Sequence, residues 1–329
     1  MRIFVTQPLL GSAIQRLRAL GDVTVFPDAS RILPHDVLLN ETATADVLCC
    51  LLQDRIDREV LDAGRSLRLI ATGVVVPGNI DMAYATERGI PVTSIPNIVA
   101  ETTADLQFGL LMAIARRIVE GDKALRAGVF PGSQSIHFAG GDVGGRTLGS
   151  IGLGAIGRAV ARRARGFGMK VLYTQRRPLS PAEEQELGVT HSPLDDLLRE
   201  SDFITLNASY HPGTHHLIGP RELGLMKPTA YLINTARGPI VDEAALAEAL
   251  AGGRIAGAAL DVYEREPEVH PALLGLSNVV LTPHLGSATR SVRERIASII
   301  ADNVEAFVQG RRLPNLYNPE VLGAAANGE

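Results

Sequence analysis

A chain of 329 residues is about twice a typical domain, and with 46% hydrophobic residues it can fill two cores, so two domains are expected. A formal net charge of -4 offers no broad basic footprint for nucleic acid or anionic lipid, and no uninterrupted apolar run approaches the ~20 residues of a membrane span. The opening MRIFVTQPLL is too short in apolar residues for a signal peptide, which leads to the expectation of a cytoplasmic protein with neither nucleic acid nor membrane as partner.

Along the chain, RIFVT, VTVF, DVLCCLL, LRLIATG and IPVTS are five short runs of mostly β-branched and aliphatic residues. Helical patterns, such as Leu9 to Leu20 and Ile56 to Ala63, lie among them, which predicts βα units and a parallel sheet. Cys49 and Cys50 are adjacent in the third run, where neighbours point to opposite faces; they read as core and exclude a disulfide framework. After Pro96 the pattern predicts one long helical stretch from Val99 to Arg126, then a glycine-rich loop, GVFPGSQSIHFAGGDVGG, at a domain junction.

A second series follows: TLGSIGL, KVLYT, FITLNA, AYLINTA, IAGAALDV and VVLTPH, which predicts a second parallel sheet. Ser291 to Val308 is helical and follows the last strand, so the tail is expected to cross back to the first domain. Between the first strand and its helix, Gly152, Gly154 and Gly157 fit G-x-G-x-x-G. In that context the first glycine makes a tight turn, the second admits a pyrophosphate and the third allows close helix packing, with the phosphates at the helix N-terminus. Arg158, Arg162, Arg163 and Arg165 follow at helical spacing and predict a solvated helix face.

Where the next strand ends, an NAD site would want an acid for the ribose hydroxyls, but the sequence reads YTQRRP. Gln175 fills the acidic slot, and Arg176 and Arg177 offer guanidinium groups for a 2′-phosphate, so NADP(H) is the expected cofactor. Three later strand ends supply a cation, a carboxylate and an imidazole: Arg237, Glu266 and His284. In open α/β sheets the carboxyl edge is where ligands bind. His215 and His216 are adjacent and read as surface loop residues, and no metal site is expected.

The segments GRTLGSIGLGAIGRAVARRARGFGMKVLYTQRRP, LMKPTAYLINTARGPIVDEAALAEAL, AGAALDVYEREP and VVLTPHLGSAT resemble the D-isomer-specific 2-hydroxyacid dehydrogenases, most closely their glyoxylate/hydroxypyruvate reductase branch. The resemblance implies a Rossmann cofactor domain, residues 98–286, inserted in a discontinuous flavodoxin-like substrate domain, residues 1–97 and 287–329, and a homodimer. It implies that Arg237 orients the substrate carboxylate and polarises the carbonyl, that His284 protonates the carbonyl oxygen, and that Glu266 holds the imidazole and favours its charged form. Substrate, a small 2-keto or 2-hydroxy acid, would also meet Leu52, Val75 and Val76. Cofactor contacts are implied for Thr103, Ala155, Ile156, Ala208, Ser209, Thr235, Ala236, Asp261, His284 and Gly286 beside the glycine loop and Gln175 to Arg177.

Some positions depart from the family's pattern. GVVVPGNID carries Val76, Pro77 and Gly78 where relatives commonly have a glycine, an aromatic and an acid or amide, so a different path is expected for the carboxylate loop. ASYHPGTHH replaces a proline-leucine-threonine run, and His137 takes the slot of a tryptophan that in relatives reaches toward the partner's substrate cleft. The product expected is the D-2-hydroxy acid. The alternatives are a non-catalytic NAD(P)(H)-sensing protein of the corepressor type, and a glycine-loop methyltransferase, which has no need of Arg237, Glu266 and His284 together.

Overall fold

The computed structural model of the protein describes residues 1–324, so residues 325–329 of the expected substrate domain lie outside the described residues. The chain divides into two compact units: one is Met1–Ile98 with the segment that returns at Thr289, the other Val99–Ala288. The first unit runs β1 (Arg2–Val5), α1 (Ala13–Arg18), β2 (Asp22–Val25), α2 (His35–Thr42), β3 (Val47–Cys50), α3 (Arg58–Ala63), β4 (Leu69–Thr72), α4 (Met82–Glu87) and β5 (Val92–Thr93). Its strands are all parallel, in the order β2-β1-β3-β4-β5, the doubly wound flavodoxin-like arrangement. Strands β3 and β4 are buried at every residue, as expected of a sheet covered on both faces, and Cys49 and Cys50 are both free and buried.

The second unit opens with α5 (Ala100–Ala115) and α6 (Ile118–Arg126) and continues β6 (Thr147–Ile151), α7 (Ala155–Gly166), β7 (Lys170–Thr174), α8 (Pro181–Leu187), β8 (Val189–His191), α9 (Leu194–Glu200) and β9 (Phe203–Leu206). It ends α10 (Pro220–Leu225), β10 (Tyr231–Asn234), α11 (Glu243–Ala251), β11 (Gly257–Leu260), α12 (Pro271–Leu274) and β12 (Val279–Leu281). The parallel sheet reads β12-β11-β10-β9-β6-β7-β8, a Rossmann order with one strand added, whose switch point lies between β6 and β9. Two apolar clusters cover its faces, one including Leu111, Val160 and Tyr173, the other Leu197, Leu232 and Leu246.

After Ala288 the chain returns to the first unit as α13 (Arg290–Val308) and α14 (Val321–Ala324). Arg16 of α1 fixes α13 by donating to Glu305 Oε1 at 3.0 Å and Ser298 Oγ at 3.1 Å, and by pairing with Asp302.

Four local expectations are corrected. The stretch Val99 to Arg126 is two helices, because Arg117 adopts left-handed backbone at φ 52°. No glycine or proline marks that break; the roughly 1–2 kcal/mol cost of the conformation is offset by guanidinium bonds to Glu120 and to the His137 carbonyl. The first helix starts at Ala13 rather than Leu9, since Gly11 turns left-handed at φ 72°. Strand β8 is a further edge strand that three residues of alternation were too short to announce. Finally, the basic face of α7 is ion-paired rather than merely solvated: Arg162 and Arg163 bind Glu101, Arg163 also binds Asp105, and Arg158 binds Glu183.

Candidate active site

The loop between β6 and α7 gives each glycine of the motif a distinct reason. Gly152 has φ 93°, and a β-carbon there would lie 2.7 Å from the Ala208 nitrogen, so the turn must pass close under the loop that follows β9. A β-carbon at Gly157 would lie 2.7 Å from the Gly152 oxygen, which makes residue 157 the close contact between helix and strand. At Gly154 nothing among the described residues lies within 4 Å of that position. Gly154 is also the N-cap of α7, with no side-chain cap for the first-turn N–H groups that Ala155, Ile156 and Gly157 contribute. An open cradle at an uncapped helix N-terminus, at the switch point of a Rossmann sheet, fits a dinucleotide pyrophosphate.

The rim of this cradle is tied together by a residue that sequence reading missed. Gln107 of α5 is fully buried, and its Nε2 donates to Thr235 Oγ1 at 2.7 Å and Asn207 Oδ1 at 3.3 Å. It thereby couples the loops after β9 and β10. In sequence it looked like one more position on an apolar helix. Ala208 and Ser209 follow in the β9 loop, where Thr214 Oγ1 holds the Ser209 carbonyl at 3.0 Å. After β7, Gln175 Nε2 donates to the Arg177 carbonyl at 2.7 Å, while Arg176 and Arg177 are exposed and in no ion pair among the described residues.

The loops after β10, β11 and β12 carry Arg237, Glu266 and His284. Asn234, at the end of β10, accepts from Ala236 N and donates to the Arg237 carbonyl, both at 3.0 Å, which shapes the turn beyond Thr235 and Ala236. Arg237 is exposed and donates from Nη1 to the Ala236 carbonyl at 2.7 Å. Its neighbour Gly238 packs against the Tyr263 and Glu264 backbone, which seats the Arg237 loop on the Glu266 loop. Glu243, buried at the start of α11, holds that second loop in turn by accepting from His270 N at 3.3 Å and from Glu264 N.

His284 Nδ1 lies 2.9 Å from Glu266 Oε2 and 3.1 Å from Oε1, and Nε2 has no hydrogen-bond partner among the described residues. The Nδ1 contact fixes the imidazole orientation. Burial alone would raise the Glu266 pKa, but the hydrogen bond and charge of His284, the Tyr263 N–H and the charge of Arg237 outweigh it and hold the carboxyl below its usual range. His284 itself has φ 56°, left-handed backbone that is uncommon for a residue with a β-carbon and that its surroundings hold here. Asp261 does so: wholly buried, it accepts from Thr282 Oγ1 at 2.6 Å, Leu285 N at 2.7 Å and Gly286 N at 2.9 Å, while its carbonyl takes the His284 N–H at 2.9 Å. The Asp261 carboxylate thus holds the loop that carries the imidazole. Burial raises the Asp261 pKa, against those hydrogen bonds. Thr103 Oγ1 closes the ring by donating to the Gly286 carbonyl at 3.2 Å.

In the first unit, Leu52 follows β3, and Val75 and Val76 follow β4. Val76 is 57% exposed at the tip of a tight turn in which Gly78 N bonds the Val76 carbonyl at 2.8 Å around a buried Pro77. His137 is exposed and packs edge-on against Phe138. His216 is not a free surface histidine, since its Nε2 lies 2.7 Å from Glu264 Oε1, whereas His215 is exposed.

Residues 108–286 match the model of the D-isomer specific 2-hydroxyacid dehydrogenase NAD binding domain. A glyoxylate reductase of Thermococcus gammatolerans is 45% identical over 325 residues, covering 98% of this chain and 97% of that protein. A crystal structure of a Thermus thermophilus protein superposes with a TM-score of 0.89 at 42% identity, over 96% of this chain and all of that one. An NADPH-dependent glyoxylate/hydroxypyruvate reductase from Sinorhizobium meliloti, solved with NADP and malonate, gives a TM-score of 0.81 at 30% identity over 97% of each chain. An uncapped glycine cradle, an Arg-Glu-His set on three strand ends and likeness along nearly the whole chain agree, and the protein belongs to the D-isomer-specific 2-hydroxyacid dehydrogenase family of nicotinamide-dependent oxidoreductases.

Proposed function

We propose that this enzyme reduces a small 2-keto acid with NADPH, hydroxypyruvate to the D-2-hydroxy acid or glyoxylate to the achiral glycolate. The observation that carries this reading is the His284–Glu266 pair, 2.9 Å apart and joining the loops after β12 and β11, with an exposed Arg237 on the loop after β10. Bound at the glycine loop, the nicotinamide supplies the hydride. Hydride arrival at a carbonyl carbon builds negative charge on oxygen, and a positioned acid with a guanidinium stabilises that charge. His284 donates the proton from Nε2, Glu266 orients the ring through Nδ1, and Arg237 orients the substrate carboxylate and polarises the carbonyl. Backbone N–H groups of Leu52, Val75 and Val76 take up the carboxylate. Residues 98–286 serve the cofactor, and residues 1–97 with the returning tail serve the substrate.

NADPH over NADH is supported by Gln175 in the acidic slot, by Arg176 and Arg177, exposed and in no ion pair among the described residues, and by the NADP found in the Sinorhizobium meliloti relative. The named substrates are those of the relatives. A homodimer is supported by the apolar residues that α6 and the following loop expose: Leu125 at 59%, Phe130 at 74% and Ile136 at 89%. No helix of the described residues is long and apolar enough to cross a membrane. Mixing the protein with NADPH and a panel of 2-keto acids, and following absorbance of the reduced nicotinamide, tests the reading. Turnover of glyoxylate or hydroxypyruvate is expected, and no turnover with any member of the panel would refute it.

A further inference from the structure

The flavodoxin-like order of the first unit puts its switch point between β1 and β3, where a ligand site is expected. Thr6, just beyond β1, donates from Oγ1 to the carboxylate of Asp54, beyond β3, and the same Asp54 Oδ2 accepts from Leu51 N at 2.7 Å. Asp54 is only 4% exposed, so this carboxylate anchors the loop that carries Leu52 from inside. The next loop, with Val75 and Val76, is joined to it by one side chain. Asn79 Nδ2 donates to the Leu51 carbonyl at 3.0 Å and to the Asp54 carbonyl at 2.8 Å, and the Asn79 carbonyl accepts from Ile56 N at 2.9 Å. Its Oδ1 is buried without a partner among the described residues, a cost that packing alone does not explain.

We infer that Asn79 is a positioning residue for the substrate carboxylate, clamping the loops after β3 and β4 into one platform. The inference rests on the reading above, in which those loops bind the carboxylate. The N–H groups of Leu52, Val75 and Val76 make no backbone hydrogen bond among the described residues, and they belong to two loops that follow adjacent strands. Donors that recognise one anion must hold a fixed mutual geometry. Asn79 sets it, using both amide hydrogens on one loop while its backbone continues the other.

The test compares wild type with Asn79→Ala and Asn79→Asp, reading kcat and KM for glyoxylate at saturating NADPH, the Kd of NADPH by fluorescence, the Kd of oxamate as a carboxylate probe, and the melting curve. Asn79→Asp keeps the shape but sets an acceptor against two carbonyls, so it should behave no better than Asn79→Ala. Both should raise KM and the oxamate Kd on the order of 10- to 100-fold, with kcat falling less and the NADPH Kd within about twofold. Unchanged KM and oxamate Kd would overturn the inference while leaving the reductase reading intact. Parallel loss of NADPH binding and of cooperative melting would reduce Asn79 to a structural residue and overturn it as well. A wild type that reduced no 2-keto acid would remove the reading and this inference with it.

Discussion

Gly238 and Tyr263 meet backbone to backbone: a β-carbon on residue 238 would overlap the Tyr263 carbonyl. This contact joins the loop of Arg237 to the loop of Glu266, and the second partner is main chain, which cannot swing aside as a flexible side chain would. Gly238→Ala should therefore cost about 1–3 kcal/mol or more, as overpacking does, and lower kcat/KM with it. Thermal melting and steady-state kinetics check this; a variant with wild-type melting and rate would show that the contact is looser than described.

The glycine loop yields the opposite case. Gly154 has open space where a side chain would project, so Gly154→Val should fold with nearly the wild-type melting temperature yet lose NADPH affinity, because the side chain would occupy the pyrophosphate's approach. Gly157→Val, aimed at the Gly152 carbonyl, should lose stability as well. Fluorescence titration with NADPH beside melting curves separates the two.

Much of this was legible in the sequence because sheet strands and a glycine turn are local signals. The apolar runs around β3, β6 and β10 stand out against their flanks, and the glycine spacing names its own turn. Arg237, Glu266 and His284 were legible as strand-end residues. What stayed hidden depends on contacts distant in sequence. Arg117 breaks a helix through bonds to Glu120 and to the His137 carbonyl, with no breaker residue to signal it. Gln107 looks like helix core until Thr235 is brought 2.7 Å from its amide. Asn79 follows a turn and gives no hint that Leu51 and Asp54 will present carbonyls to it.

Cofactor choice turns on the residues after β7. Arg176→Ala should raise the KM for NADPH by a factor that corresponds to roughly 1.5–3 kcal/mol, the worth of one hydrogen bond to a charged group, and leave NADH almost unaffected. Higher wild-type kcat/KM with NADH than with NADPH would contradict the assignment.

Glu266 links stability to pH. Its carboxyl is held below the usual range, so its stabilisation is present above the unfolded value of about 4.3 and is lost as pH falls through the lower folded value. Glu266→Gln should flatten that part of the acid unfolding curve. Urea midpoints from pH 6 to 3 for wild type and Glu266→Gln test this.

The most direct measurement is the reduction of glyoxylate by NADPH with His284→Ala beside wild type, under single-turnover conditions with NADPH binding measured separately. Loss of a positioned acid should slow the chemical step on the order of 10²–10⁴ while NADPH still binds. A His284→Ala enzyme that reduced glyoxylate at the wild-type rate would contradict the account.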